Sequence, residues 1–417
     1  MKNNLKKPFL RAITTLASGS IVAQIITFAT SPIMTRLYTT EEIGIYTLIL
    51  TAVSMFGGVI CGRYDMSIVY EEDEDNVIPI IKLSFIVCLL MSTAVSCGYG
   101  IYYWITGKDN NSYLSIIAFT FILLFATGIV NILISYNNRN REYSLMTSVF
   151  VIRTIAKNVT MVILGFLNAG TMGILFSEVI GQLFGMNGQA RSLKPHLKDI
   201  YRVSTKRMTD VAKKHHSQPL YSVPAIFANN FSYSSINLFI ESLFGLSFLG
   251  YYSMSFRILG MPLSLISTNV SKVFFEEASR EYNQTKQFKI AFRKTSLFLV
   301  AVAIPMVIGM IWLAPPLFGW FFGNGWEVSG KYVQILAPMF GVRFIVSALT
   351  PGMIICGKQK LELKIQLLFA VMSIAAFIIT KLAHLTINKY LMVISISFSV
   401  VYIIYYLILW WYSSNET

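Results

Sequence analysis

Apolar side chains in this chain come in long runs separated by short polar turns. The runs fall near residues 9–35, 43–69, 77–104, 113–136, 143–167, 170–190, 221–243, 249–275, 288–313, 331–355, 361–383 and 389–412. A helix needs roughly 20 mostly apolar residues to cross a bilayer, whereas a tilted barrel strand needs only about 9–11. The pattern therefore predicts an all-α polytopic membrane protein of about twelve transmembrane helices. One long polar connection, 191–220, divides it into six-helix lobes at 1–190 and 221–417. Within it Leu197, Ile200, Val203, Met208 and Val211 recur at roughly helical spacing among Lys and Arg. Two readings stand: a basic helix on the inner leaflet, or a solvated linker. The adjacent His215 and His216 read as solvent-exposed.

The halves resemble each other. Ile43-Gly44-Ile45-Tyr46 opens the second run as Leu249-Gly250-Tyr251-Tyr252 opens the eighth, an offset of 206, and both stretches end in paired Glu, at 71–72 and 276–277. Arg139-x-Arg141 joins runs four and five as Lys358-x-Lys360 joins ten and eleven, an offset of 219. Six crossings preserve orientation, so these are expected to be parallel repeats about an axis along the membrane normal, with a cavity between the halves.

Composition agrees with a membrane protein: 55% of residues are hydrophobic and 13% charged, against about 25% charged in a typical soluble domain. Placing the amino terminus in the cytoplasm puts most of the loop Lys and Arg inside, eight of them between residues 191 and 220 alone. Both termini are then expected to be cytoplasmic. The net charge of +14 becomes an inner-face property suited to anionic lipid headgroups rather than nucleic acid. Cys61, Cys88, Cys97 and Cys356 lie in or at the ends of runs without metal-like clustering, so no metal or disulfide framework is expected. Met1–Lys7 leads into a full-length run rather than the short core of a cleavable signal.

Within the second run sit Arg63 and Asp65. Ionisable groups in hydrocarbon usually face a protein interior or wet cavity. A long side chain six residues from the end of its run can instead snorkel to headgroups, and both readings remain open. The stretch Arg36-Leu-Tyr-Thr-Thr-Glu-Glu-Ile-Gly-Ile-Tyr, followed by Gly62-Arg63-Tyr64-Asp65 and an acidic turn, resembles the Wzx-type oligosaccharide flippases of the MATE-like MOP superfamily. That resemblance implies two pseudo-symmetric six-helix lobes around a central cavity. It also implies alternating access for a polyprenyl(undecaprenyl)-diphosphate-linked oligosaccharide, moved from the inner to the outer leaflet of a bacterial cytoplasmic membrane for surface polysaccharide biosynthesis, with polysaccharide assembly proteins as possible partners.

A diphosphate cargo calls for fixed cations, and the guanidinium fork suits phosphate at any working pH. Arg63 and Arg257 are the leading diphosphate ligands, one expected in the inner third of its span and the other nearer the outer end, as two stations for the phosphate. Lys272, Arg36 and Arg11 lie near helix ends and are weaker candidates. Gln24, Asn229, Asn230 and Asn269 either bind glycan hydroxyls or hydrogen-bond between helices. Arg153 and Lys157 share one helix face, and Glu178 is the expected mate of Arg153. Arg343 has no evident mate. Asp65, Glu241 and Glu178 are the carboxylates available to couple H+ or Na+, and no other cofactor is implied.

Two other function classes compete. A MATE-like H+- or Na+-coupled exporter of drugs or metabolites would favour buried acids over arginines. A membrane glycosyltransferase or polysaccharide polymerase or ligase would favour a sizeable outer loop with catalytic residues. The longest expected outer loop, 314–330, is mostly Trp, Phe, Pro and Gly, and reads as an interfacial aromatic re-entry or lid. No catalytic residue is expected. Gly352 to Gln359 approaches a phosphate loop but lacks its final Ser or Thr and follows no strand. Asp73-x-Asp75 reads as a solvated acidic turn.

Overall fold

The computed structural model describes the backbone of residues 6–106 and 113–415 and, apart from residues 6–17, 103, 106 and 113, their side chains. Among the described residues every regular element is a helix. The chain divides into two compact units, Met1–Asn230 and Phe231–Thr417. The first holds α1 (Lys6–Leu37), α2 (Thr40–Phe56), α3 (Tyr64–Tyr70), α4 (Glu74–Thr106), α5 (Tyr113–Arg139), α6 (Tyr143–Phe166), α7 (Gly170–Leu183) and α8 (Met186–Gln189). It continues through α9 (Leu197–Arg202) and α10 (Thr205–Lys214) into the start of α11 (Val223–Phe244). The second unit takes the rest of α11, then α12 (Leu246–Pro262), α13 (Thr268–Thr285), α14 (Lys289–Phe322), α15 (Glu327–Leu349), α16 (Gly352–Ile355), α17 (Gln359–Leu382) and α18 (Ile387–Ser414).

Eight helical stretches among the described residues are long and apolar enough to cross a membrane. The joined α2–α3, with α1, α7 and α11, supply the other four expected crossings. Many large apolar side chains face outward, Trp312 and Trp320 each 77% exposed among them. Such a surface is untenable in water and ordinary in lipid. Of these eight stretches, the most buried are those of α5 and α15, each with 56% of its most apolar window buried, against 17% for α12–α13 and α14. They are the fourth and tenth crossings, equivalent positions under the sequence repeat. In the first unit α5 packs against α2, α3, α4 and α7, and in the second α15 packs against α12, α13, α14 and α18.

Several local structures depart from expectation. The second run is two helices, interrupted at residues 57–63. The eighth continues to Thr285 through a π-helix at Leu263–Ser267, so the polar stretch between the eighth and ninth runs shrinks to a turn. The sixth run breaks at Phe184–Gly185, where Gly185 takes φ 75°. The segment 314–330 forms no lid: α14 runs to Phe322 and α15 begins at Glu327. Pro315 and Pro316 stay helical there because Ala314, Phe318 and Phe322 remain buried. A Cβ on Gly330 would lie 2.5 Å from Pro315 Cα, so glycine lets α15 close on the proline turn. Membrane helices tolerate such prolines when neighbours occupy the freed backbone groups.

The basic connection is neither a free linker nor an isolated surface helix. Ser204 caps α10 by accepting from the Arg207 amide at 3.4 Å, and Val211 and Leu193 enter the core formed by Ile68, Ile80 and Ile81. Lys82 Nζ donates to the Tyr201 and Val203 carbonyls at 2.9 and 2.8 Å, closing the end of α9. His215, expected in solvent, is buried.

Candidate functional site

The motif that opens α2 is first a folding signal. Thr39 and Glu42 form a reciprocal capping box, with Thr39 N donating to Glu42 Oε2 at 2.8 Å and Glu42 N to Thr39 Oγ1 at 3.3 Å. That arrangement satisfies two amides a helix start leaves open. Tyr38 Oη donates to the Met161 carbonyl at 2.7 Å, tying the turn to α6. Arg36 is exposed beyond this cap, with its Nη1 3.5 Å from Pro32 O.

The interruption of the second crossing positions Arg63. Gly62 and Arg63 both adopt left-handed backbone, at φ 60° and 62°. Glycine takes that conformation freely, whereas a non-glycine residue held there stores about 1–3 kcal/mol of strain. The freed Gly57 carbonyl accepts from Asn131 Nδ2 of α5 at 2.9 Å. Arg63 Nη1 points back to Gly58 O at 3.5 Å, while its Nε is buried with no hydrogen-bond partner among the described residues. Asp65 is 4% exposed in the first turn of α3, two residues away. Asn230 approaches the same turn, its Nδ2 3.5 Å from Met55 O, and Phe227 packs on Phe56 with ring centroids 5.2 Å apart. The structure thus gathers Arg63, Asp65 and Asn230 around residues 55–65. Asn229 is exposed and Gln24 half-buried on α1, and the Arg11 side chain lies outside the described residues.

Glu178 is paired, but not with Arg153. Lys157 Nζ lies 2.6 Å from Glu178 Oε2, and Tyr46 Oη donates to the same oxygen at 2.7 Å. Arg153 Nε instead donates to Phe184 O at 3.1 Å, where the break after α7 exposes a carbonyl. Lys157, one helical turn along from Arg153, therefore meets the carboxylate, and the arginine takes the helix end.

In the second unit, Arg257 is half-buried on α12, Glu241 is buried on α11, and Lys272 is exposed on α13. Asn269 Nδ2 donates to Leu265 O at 2.7 Å, occupying a carbonyl of the π-helix. The feature sequence reasoning left open is Arg343. Its guanidinium carbon lies 4.1 Å from the Tyr233 ring centroid, with Phe340 at 5.4 Å and Phe256 at 5.9 Å. Tyr233 and Tyr402 hydrogen-bond to each other through their hydroxyls. Arg343 lines a cavity of about 560 Å³ with Ser264, Ser267, Thr268, Ser271 and Ser347. The signal in the sequence was a charge inside a run without an acid nearby, but of its three aromatic partners only Phe340 is on its own helix, and Tyr233 and Phe256 come from distant parts of the chain.

A polar cluster outside the crossings fixes the end of α3. Glu71 Oε1 meets Lys214 Nζ at 2.6 Å and Oε2 meets His215 Nε2 at 2.7 Å. Despite burial, the hydrogen bonds from Lys214, the Asp73 amide and His215 bring the Glu71 carboxyl down to about 2. Arg139 donates to the Ile68 and Glu71 carbonyls at 3.0 and 2.5 Å and to Glu74 at 2.5 Å, capping the same helix end. The repeated basic pair after the fourth crossing therefore has, in this unit, a backbone partner.

The fold and these sites define a polytopic helical membrane protein with cations set inside its crossings. The polysaccharide biosynthesis protein family matches residues 33–331, and the chain belongs to that family. A Klebsiella pneumoniae relative described as an uncharacterized membrane protein in the cps region is 24% identical over 141 residues, 34% of this chain and 29% of that relative. The chain's match thus spans under a third of the relative's length. Among solved structures, the lipid II flippase MurJ in an inward closed conformation is similar at a TM-score of 0.74 with 15% identity, covering 94% of this chain and 86% of that one. An inward-facing multidrug resistance MATE transporter of the MOP superfamily is similar at 0.66 with 12% identity, covering 94% and 97%. At these identities the likeness establishes a shared fold.

Proposed function

We propose that this protein is a flippase that moves a polyprenyl-diphosphate-linked oligosaccharide across the cytoplasmic membrane by alternating access, with undecaprenyl as the lipid and both termini cytoplasmic. The observation that carries the reading is Arg63: a guanidinium on a left-handed turn inside an apolar crossing, with a buried Nε lacking any acceptor among the described residues. A permanent cation with unused donors inside a crossing is costly unless an anion visits it. A diphosphate offers several acceptor oxygens in a geometry the guanidinium fork matches. Membership of a polysaccharide biosynthesis family supports a glycan on that diphosphate, and transport rather than catalysis.

Arg63 serves as one phosphate station and Arg257 as the second, with Asn230 beside the first available to sugar hydroxyls. Lys272, Arg36, Gln24, Asn229 and Asn269 are secondary contacts in this scheme. For coupling to H+ or Na+, Asp65 ranks first because it is buried beside Arg63. Glu241 follows, and Glu178 is last because Lys157 already compensates it.

The test is the distribution of lipid-linked glycan between leaflets in cells producing Arg63→Ala and Arg257→Ala variants at normal protein levels. Accumulation on the inner leaflet with at least a tenfold fall in surface glycan is expected for Arg63→Ala. Full transport by both variants removes the proposal.

A further inference from the structure

The cavity beside α15 lies wholly within the second unit, and none of the residues assigned above to cargo or coupling lines it. Its walls come from Gly260 and the π-helix of the eighth crossing, from Thr268 and Ser271 of α13, and from Arg343 and Ser347 of α15. At about 560 Å³ it falls in the roughly 300–1,000 Å³ range of small-molecule sites. The π-helix follows Pro262 and displaces the backbone so that Leu263, Ser264 and Ser267 all reach the cavity. Isolated π segments in α-helices recur at functional sites.

The polar lining has a definite sense. Ser264 Oγ donates to Met261 O at 2.9 Å, Thr268 Oγ1 to Leu263 O at 3.1 Å, and Ser267 Oγ to Phe344 O at 3.0 Å. A hydroxyl whose proton is committed to a backbone carbonyl presents lone pairs, so these positions accept from a ligand's hydroxyls, Ser267 with the lone pair left beside the Ser347 hydroxyl 2.8 Å away. Arg343 supplies the opposite character, a fixed charge with N–H donors only. Its polar neighbours are the hydroxyls of Tyr233, Tyr402 and Tyr252, and among the described residues no carboxylate pairs with it. Tyr233 covers a face of the guanidinium at 4.1 Å. Tyr402 takes one edge of the guanidinium, and stacking on Tyr233 leaves the remaining edge donors of the planar cation to bind a ligand. One anionic oxygen cluster beside several hydroxyls is the complement of this lining.

We infer that the Arg343 cavity is a binding site for a phosphorylated sugar, with Arg343 donating to the phosphate and Ser264, Ser267 and Thr268 accepting from ring hydroxyls. The assignment rests on the flippase reading for its source, the phosphate-proximal sugar of the cargo. Its chemistry alone would also admit the phosphate of a glycerophospholipid headgroup.

The experiment is calorimetric titration of the full-length protein in lipid nanodiscs made from a neutral phosphate-free lipid. Glucose 1-phosphate, glycerol 3-phosphate, inorganic phosphate and methyl glucoside are the probes. Saturable binding of glucose 1-phosphate at least tenfold tighter than glycerol 3-phosphate or inorganic phosphate, with none for methyl glucoside, is expected. Arg343→Gln should weaken glucose 1-phosphate at least tenfold. Since a buried change can unfold the protein, Ser271→Leu, which fills the cavity from its rim and leaves Arg343 in place, should weaken it similarly with unchanged thermal unfolding.

Equal or tighter glycerol 3-phosphate binding assigns the cavity to a lipid headgroup and overturns the sugar assignment. Binding that neither variant alters overturns the site. Glucose 1-phosphate binding that both variants weaken, in a protein whose loss leaves glycan distribution unchanged in cells, upholds the site while removing the flippase reading.

Discussion

The second and eighth crossings are interrupted at corresponding places and resolved in opposite ways. The sequence offset of 206 carries residue 57 onto residue 263, so the turn at 57–63 and the π-helix at 263–267 begin at equivalent positions. Each is braced by a helix of its own unit, α5 in the first and α15 in the second. Asn131 of α5 donates to Gly57 O, and Ser267 donates to Phe344 O and pairs with Ser347 of α15 at 2.8 Å. In the first unit Gly57, Gly58 and Gly62 let the chain leave the helix altogether, and the cation comes from the interrupted crossing as Arg63. In the second unit Pro262 loosens the helix without ending it, and the cation comes from the bracing crossing as Arg343. Asn269, the positional counterpart of Arg63, commits its amide Nδ2 to Leu265 O. A repeat can thus conserve where a helix yields while exchanging which strut carries the charge.

Separating charge from backbone at Arg63 gives the largest expected effect. Arg63→Gly keeps the left-handed turn and should stabilise the protein by about 1 kcal/mol through relief of strain, yet lower surface glycan at least tenfold. Retained transport with Arg63→Gly would show that the turn rather than the cation matters.

The brace comes next. Asn131→Ala leaves Gly57 O without its donor and should destabilise by about 1–3 kcal/mol, read as the midpoint of thermal unfolding in detergent. Ser267→Ala should cost less, about 0.6 kcal/mol, the average for hydrogen bonds between membrane helices, since the π-helix keeps its own backbone bonds. Equal costs would mean that the two interruptions are held alike.

Acid titration probes the end of the first interruption. Because Glu71 is held at about 2 against an ordinary 4.5, its carboxylate contributes stability that is complete above pH 4.5 and is lost as pH falls toward 2. The unfolding midpoint of the wild type should therefore drop over that range more steeply than that of Glu71→Gln. Parallel curves for the two proteins would remove the carboxylate from the account.

Much of the candidate site was legible because charge in an apolar run is conspicuous: Arg63 and Asp65 were singled out by composition, and the structure places them on one interruption. Glu178 was seen as an ion-pair member but assigned to Arg153, because helical spacing puts both basic residues on one face and does not say which carbonyl or carboxylate each meets. His215 was assigned to solvent since nothing in a polar connection announces that Glu71, far earlier in the chain, closes on it. The 314–330 segment read as a loop because Pro and Gly are local punctuation, while the contact that keeps it helical is made by Gly330 against Pro315.

Chain pattern alone determined the solvent and the helical class, because an apolar run long enough for a bilayer leaves a backbone only one way to satisfy its polar groups. Tertiary structure decided where those helices give way and which side chain fills each gap. A glycine pair or a proline licenses an interruption, but the freed carbonyls are met by a packed neighbour in the left-handed turn, as Asn131 meets Gly57, and by the same crossing in the π-helix, as Thr268 and Asn269 meet Leu263 and Leu265. For the same reason Arg343 acquired its site only when Tyr233, Phe256, Phe340 and the hydroxyls of the eighth crossing were folded around it.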